Sequence, residues 1–382
     1  MTEQRISGNL VYRESLEGLP GRKRRICALH EEGNEKPVSR LSLVSLHTRF
    51  GEKAIAAEGL GGIQTLPQHR GKGYATTLME RALSSISERA NAAFLYGIEG
   101  LYGKFGFASC LRESSLTMWT GRTKAADSQG GLSVRAAVPG ELSEIIELYN
   151  TAHQFRPWTA VRTAKQVERI SYQTPWHPAP EVIIVGRRSR ITGYAAIGGK
   201  NYGDTKRNFT VLEAAVVDYE SGEVLLSEIG RRCGAQDLSE FSILEPSDGI
   251  LGKAAFRLGA SEKSESSPDG GGMAAVLNRE ALINELSSEL KRRIAEARRW
   301  LGVPPENSHT DFRDIIERIA SADVIPSDTD LVRLLLGYWR WEDAKAEGFG
   351  APAADAAILR AMFPGGGVPW LAVPYSHRFD RY

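Results

Sequence analysis

Arg70-Gly71-Lys72-Gly73-Tyr74-Ala75 brings two cations and two glycines to the point where a short extended run ends and an apolar helical stripe begins. The chemistry open to such a turn is anion binding. The first amides of a helix lack intrahelical acceptors and carry the positive end of its dipole, so a phosphate or pyrophosphate docks there against main-chain N–H groups. Glycine at 71 and 73 lets that backbone approach closely, and Arg70 and Lys72 add charge-assisted donors at the rim. Upstream, Ile63 and Thr65 lie on the extended run and Pro67 ends it. Downstream, Ala75, Leu78, Met79, Ala82, Leu83 and Ile86 recur at helical spacing and predict one amphipathic helix.

The elements that must hold this turn are legible on both sides. Strands are predicted at residues 9–12, 25–30, 39–47 and 54–63, the last carrying Gly59, Gly61 and Gly62, where a bulge or a close backbone approach is expected. Residues 93–98 read as a buried strand. Next comes Gly100-Leu101-Tyr102-Gly103-Lys104-Phe105-Gly106-Phe107, a short helix ending in a Gly-Phe pair.

Arg70-x-x-Gly73-x-Ala75 after a strand resembles the acetyl-CoA pyrophosphate loop of the GCN5-related N-acetyltransferase (GNAT) superfamily. The segment at 100–107 is similar to that superfamily's second signature, and the two stand in the expected order and spacing. The resemblance implies an α/β fold with a mixed sheet in which the glycine-bearing strand splays from its neighbour. Acetyl-CoA is then the co-substrate. Its pantetheine arm would lie in the gap against the backbone of Ile63 and Thr65, and its pyrophosphate on the amides of Arg70, Gly71, Lys72, Gly73, Tyr74 and Ala75.

The bulk composition bounds the rest. A chain of 382 residues suggests two or three domains, and 42% hydrophobic with 25% charged residues is globular. A formal net charge of +1 supplies no long-range attraction for nucleic acid or an acidic membrane. No run approaches a membrane span or a signal peptide, so a soluble cytoplasmic protein is expected. Cys27, Cys110 and Cys233 are far apart and read as free thiols, and no Cys/His spacing suggests a metal.

Small and polar residues at 125–131 mark a linker, and from Leu132 the pattern begins again. A strand at 132–135, a helix at 141–150, strands at 181–185, 191–197 and 211–217, a helix at 222–232 and a strand at 241–244 predict a second unit of the same kind. In it Asp218-Tyr219-Glu220-Ser221-Gly222 stands at the pyrophosphate turn, where its carboxylates would repel phosphate. From Asn278 the chain reads as helical, with a near capping box at Ser327 and Asp330. The expected domains are 1–124, 132–277 and 278–382: a catalytic unit, a degenerate copy and a smaller, mainly helical C-terminal unit.

Two such units, a C-terminal unit and an aromatic tail resemble the Eis-like (enhanced intracellular survival) acetyltransferases. In that family the last unit is sterol-carrier-like, whereas residues 303–326 offer little strand pattern, so a reduced version is expected here. Only about a dozen residues separate the first two predicted strands, too few for the two helices that usually wall the acceptor pocket.

The resemblance assigns Tyr102 as general acid toward the departing thiolate, and a phenol of pKa near ~10 suits that role. It assigns the terminal carboxylate of Tyr382 as base. Glu58, on the strand leading to the cofactor, is an alternative base acting through water. Glu99 reads as a surface carboxylate, with attraction of a cationic amine as the alternative, and Trp158, Trp339 and Trp370 as core, with the lining of an amphipathic pocket as theirs. The implied activity is direct acetyl transfer to a primary amine of a small cationic acceptor, by a homo-oligomer, a hexamer in the family. A non-catalytic acyl-CoA-binding scaffold and a protein or peptide amine acetyltransferase are the alternatives.

Overall fold

A computed structural model of the chain describes residues 2–18, 24–111, 113–123, 131–163, 180–188, 190–198, 209–265, 269–301, 312–349 and 353–365. The first five strands, β1 (Thr2–Ser7), β2 (Leu10–Glu17), β3 (Arg24–Glu31), β4 (Ser39–Phe50) and β5 (Lys53–Thr65), pair antiparallel in chain order. Helix α1 (Tyr74–Ser87) then crosses over to β6 (Ala92–Ile98), parallel to β5. The one-turn helix α2 (Glu99–Tyr102) leads to β7 (Ala108–Leu111) and β8 (Glu113–Trp119). The polar edge strand β1 carries no apolar alternation and has no signature in the sequence.

The second unit comprises β9 (Leu132–Ala136), α3 (Leu142–Ala152), β10 (Glu181–Arg187), β11 (Arg190–Gly198), β12 (Phe209–Val216), α4 (Tyr219–Gly234), β13 (Glu240–Ile243), α5 (Ile250–Arg257), β14 (Ser261–Glu265) and β15 (Asp269–Val276). Its β12-α4-β13 crossover repeats β5-α1-β6, both joining parallel strands. The fold is mixed α/β in two sheets. Their orders are β1-β2-β3-β4-β5-β6-β15-β7 and β14-β8-β13-β12-β11-β10-β9. The units therefore exchange strands: β15 lies between β6 and β7 of the first sheet, and β8 between β13 and β14 of the second. The boundary expected near residue 124 separates stretches of sequence but not sheets.

Among the described residues after Asn278 every regular element is a helix: α6 (Arg279–Leu301), α7 (Phe312–Ala320), α8 (Asp328–Leu335), α9 (Trp341–Ala346) and α10 (Ala353–Met362). Alternation along β6 shows what they do. Ala93 and Leu95 face α1, packing with Leu60, Leu78 and Ile86. Ala92 and Phe94 face the other way, into a core shared with Leu286, Leu331 and Leu335 of the C-terminal helices. β2 and β3 pair antiparallel up to Glu17 opposite Arg24, no helix precedes β3 among the described residues, and the C-terminal helices cover one face of the sheet. No described helix is long and apolar enough to cross a membrane.

A segment of the second unit locks onto the first. Trp158 N donates to Arg49 O at 2.7 Å and Val161 N to His47 O at 2.6 Å, while the Arg49 guanidinium reaches Ala160 O at 2.7 Å and Asn150 Oδ1 at 2.9 Å. Trp158 itself is core, edge-on to Phe94 at 5.5 Å. Its backbone is left-handed, with φ 71°, a cost that burial of the indole in this shared core offsets.

Candidate active site

The anion cradle forms where β5 outruns its neighbour. Pairing of β5 with β6 spans only Ala57 to Leu60, so among the described residues one edge of β5 from Gly61 to Thr65 faces no strand. On its other edge the register with β4 jumps between Ser42 opposite Gly61 and Arg40 opposite Gln64, a bulge that Gly62 allows with φ 61°. Ser42 Oγ donates to Gly61 O at 3.0 Å, and the hydroxyls of Ser39 and Thr65 meet at 2.9 Å. This pins the strand end and leaves Ile63 and Thr65 on the open edge.

Pro67 opens one turn of 3-10 helix to His69, and Arg70 Nε closes the turn by donating to Thr65 O at 3.3 Å. The helix begins at Tyr74, preceded by Gly73 as N-cap with φ 78°, and Gly71 has φ 77°. Both conformations favour glycine, and a side chain at either would project into open space. Gly73 has no side chain to cap α1 and the first turn holds no acidic residue, so among the described residues its leading amides stay open to a ligand. Ala75, counted with the apolar stripe, is exposed at this mouth, whereas Leu78, Met79, Ala82 and Ile86 are buried. Lys104, not singled out from sequence, donates from Nζ to Thr76 Oγ1 at 3.3 Å and brings another cation to the mouth.

The homologous turn in the second unit is closed. Asp218 is the N-cap of α4 and its Oδ1 accepts from Ser221 N at 2.7 Å. Beyond Val211 β12 leaves β13, and there Glu245 Oε1 accepts from Ala214 N at 3.3 Å. Carboxylates of the chain thus take both the helix N-terminus and a main-chain donor of the splayed strand.

Tyr102 ends α2 on the α1 side of the first sheet. Its ring lies on Gly97, where an added methyl group would overlap it, and stands edge-on to Phe107 at 6.5 Å. It is half-buried, and that burial raises its phenol above the ordinary value of 10.0, keeping the proton on oxygen at neutral pH. Gly97, which carries the Tyr102 ring, lies two residues beyond Leu95, where the pairing of β6 with β5 ends.

Glu58 is elsewhere. It lies opposite Ala93, four residues from Gly97 along β6, roughly 13 Å at strand spacing. It is 3% exposed beneath α1, accepts from Ser45 Oγ at 2.7 Å, and lies 3.8 Å from Arg25 and 3.7 Å from Arg89. Burial raises its pKa, with Ser45 and Arg25 opposing. The partners of Glu58 are thus Ser45, Arg25 and Arg89, which makes it a buried carboxyl of the α1 packing. Tyr382 and Trp370 lie outside the described residues. Glu99 is already engaged: Arg333 Nη2 donates to its Oε1 at 2.8 Å and Ser109 Oγ to its Oε2 at 3.0 Å. All three cysteines are free and buried, and among the described residues no His, Cys, Asp and Glu converge as a metal site requires.

An uncapped helix N-terminus beside the open end of β5 is an arrangement that can take a pyrophosphate. In agreement, residues 7–110 match the family model for the acetyltransferase (GNAT) domain, so the first unit is an N-acetyltransferase domain. Solved structures share the fold at low identity. A probable N-acyltransferase from Enterococcus faecalis V583 aligns at 12% identity and TM-score 0.65, over 94% of this chain and 89% of that one. Eis1 from Mycobacterium abscessus aligns at 14% and 0.57, over 94% and 90%. A GCN5-related N-acetyltransferase from Anabaena variabilis ATCC 29413 aligns at 15% and 0.54, over 66% of this chain and only 63% of that one. No curated protein matches in sequence.

Proposed function

We propose that the chain is an Eis-like acetyltransferase that carries an acetyl group from acetyl-CoA to a primary amine of a small cationic acceptor, in one direct step. The observation that carries this reading is the uncapped glycine turn at Gly71–Gly73 opening onto the unpaired edge of β5. Main-chain groups of Ile63 and Thr65 would hold the pantetheine arm, and the amides from Gly71 to Ala75, with Arg70, Lys72 and Lys104, the pyrophosphate. The bound thioester supplies an activated acyl carbon. A neutral amine forms the new C–N bond there as the C–S bond breaks, and Tyr102 gives its proton to the departing sulfur. The amine's surplus proton leaves to water.

The short link between β2 and β3, which raised the alternative of a scaffold without an acceptor pocket, loses weight because the C-terminal helices wall that face. Release of free thiol from acetyl-CoA, followed with a panel of polyamines, aminoglycosides and lysine-containing peptides, tests the reading. Turnover with a small polyamine or aminoglycoside supports it. Tight coenzyme A binding without turnover on any amine would favour the scaffold, and reaction with peptides alone a protein acetyltransferase.

A further inference from the structure

The helix that carries Tyr102 cannot hold its own position. It is a single α turn, four residues from Glu99 to Tyr102, without a side-chain N-cap, followed only by one turn of 3-10 helix at Gly103–Phe105. Two such short turns fix many backbone dihedrals for little hydrogen bonding, so they do not persist by themselves. Gly100, Gly103 and Gly106, the last with φ 84°, add freedom around it. Whatever fixes the phenol must come from outside this segment.

Two neighbours supply part of it, the packing of the Tyr102 ring on Gly97 and Phe107 and the tie from Lys104 to Thr76. The third comes from far along the chain. On α8, Arg333 donates from Nη2 to Glu99 Oε1 at 2.8 Å, three residues before Tyr102. The same guanidinium donates to Ser109 O at 3.5 Å and Asp330 Oδ1 at 3.2 Å and lies over the Trp339 ring at 4.8 Å. Glu99 uses its second oxygen for Ser109 on β7. An isolated exposed ion pair is worth little, but here Arg333 is held on four sides and only 20% exposed, so its direction is fixed.

We propose that Arg333 is a positioning residue for acetyl transfer: through Glu99 the C-terminal helices hold α2, and with it the Tyr102 hydroxyl, against the open edge of β5. The inference rests on the acetyltransferase reading and explains why a GNAT unit lacking its usual two helices keeps the C-terminal unit on that face. Arg333 itself gives or takes no proton.

The test uses the full chain carrying Arg333→Ala, Arg333→Lys or Glu99→Gln. With an amine that turns over, Arg333→Ala should lower kcat by about a hundredfold, the scale set by a small misplacement of a reacting group. Coenzyme A affinity and KM for acetyl-CoA should stay unchanged, and Arg333→Lys should restore part of the rate. In a Tyr102→Phe background the same substitution should cost nothing further, because the two changes act on one step. Equal losses in both backgrounds, or full activity of Arg333→Ala, would overturn the proposal. A second readout needs no substrate. Amide exchange should quicken about tenfold across residues 98–106 and not across α1. If no amine turns over, the function proposed above fails and this exchange alone decides the role of Arg333. Should Arg333→Ala lose its fold, Glu99→Gln, which leaves Arg333 over Trp339, is read the same way: unchanged exchange at 98–106 rejects the tie.

Discussion

Arg162 and Glu213 face each other through two hydrogen bonds of 2.6 Å each, with neither side chain reaching solvent. Tyr194 Oη donates to the same carboxylate at 2.5 Å, and the Arg162 guanidinium lies 3.7 Å above the Tyr149 ring. Because Arg162 follows the segment that docks on His47 and Arg49, the pair clamps that segment to the second sheet while Arg49 clamps it to the first. Removing one partner strands a charge in the interior, at a cost of about 3–5 kcal/mol. Arg162→Met should therefore lower the stability read from urea unfolding by about that amount, and Arg162→Met with Glu213→Met by clearly less. Equal losses in the single and double variants would show that the carboxylate is not left stranded.

The cradle prediction concerns Gly73. Its φ of 78° and the open space beside it mean that alanine there strains the turn without striking anything, costing about 1–2 kcal/mol of local stability. Glutamate does more, since it sets a carboxylate where a pyrophosphate must sit, and like charges brought together cost several kcal/mol. Calorimetric titration with coenzyme A should show Gly73→Glu weakened about a hundredfold or more, with Gly73→Ala in between. Unchanged affinity in the glutamate variant would remove the cradle from cofactor binding.

The stoichiometry of that titration is a prediction in itself. With Asp218 bound to Ser221 N and Glu245 to Ala214 N, the second unit has spent the donors that the first leaves open. One coenzyme A per chain is expected, and Asp218→Ala should not alter the affinity of that site. Two equivalents bound by the unsubstituted chain would reverse the reading of the second unit.

These features differ in how far the sequence reveals them. The cradle is legible because its parts are adjacent: a strand end, glycines where left-handed backbone is needed, and a stripe at 3.6-residue spacing. Ala75 misleads only because it fits the period while lying in the first turn, beyond the reach of the core. The exchange of β8 and β15 leaves no local trace, since periodicity says which residues face a core but not which sheet a strand joins. Arg333 and Glu99 stand 234 residues apart, and each alone looks like an ordinary surface charge. Glu58 is a case where position along a strand says less than the face it occupies. Its place on the strand leading to the cradle suggested chemistry, whereas strand alternation turns it under α1, toward Arg25 and Arg89.

Tyr102→Phe should depress kcat by about 10²–10⁴-fold with coenzyme A affinity intact, the span typical of a lost general acid. Burial raises the Tyr102 phenol above 10.0, so its proton stays in place throughout the neutral and mildly alkaline range. The alkaline limb of kcat assigned to this group should accordingly fall above that of a free phenol, and vanish in the phenylalanine variant. A rate undiminished by Tyr102→Phe would move the proton donor elsewhere.

Glu58 yields a prediction about stability against pH. Its folded-state pKa is raised, with desolvation outweighing Ser45 and Arg25. A raised value means that its contribution is fully present below the ordinary carboxylate value of 4.5 and is lost as pH climbs through the folded one. Glu58→Gln cannot ionise and keeps no such dependence. The stability of the glutamine variant relative to the parent should therefore improve as pH is raised from acid to neutral, whatever the offset from leaving Arg25 and Arg89 without the carboxylate. Urea unfolding at a series of pH values measures that slope, and a flat or opposite trend would mean that Glu58 stays ionised in the fold. Turnover should remain near that of the parent, because the carboxylate lies under α1 and not at the gap beside Tyr102; a loss as deep as that of Tyr102→Phe would return Glu58 to the chemistry.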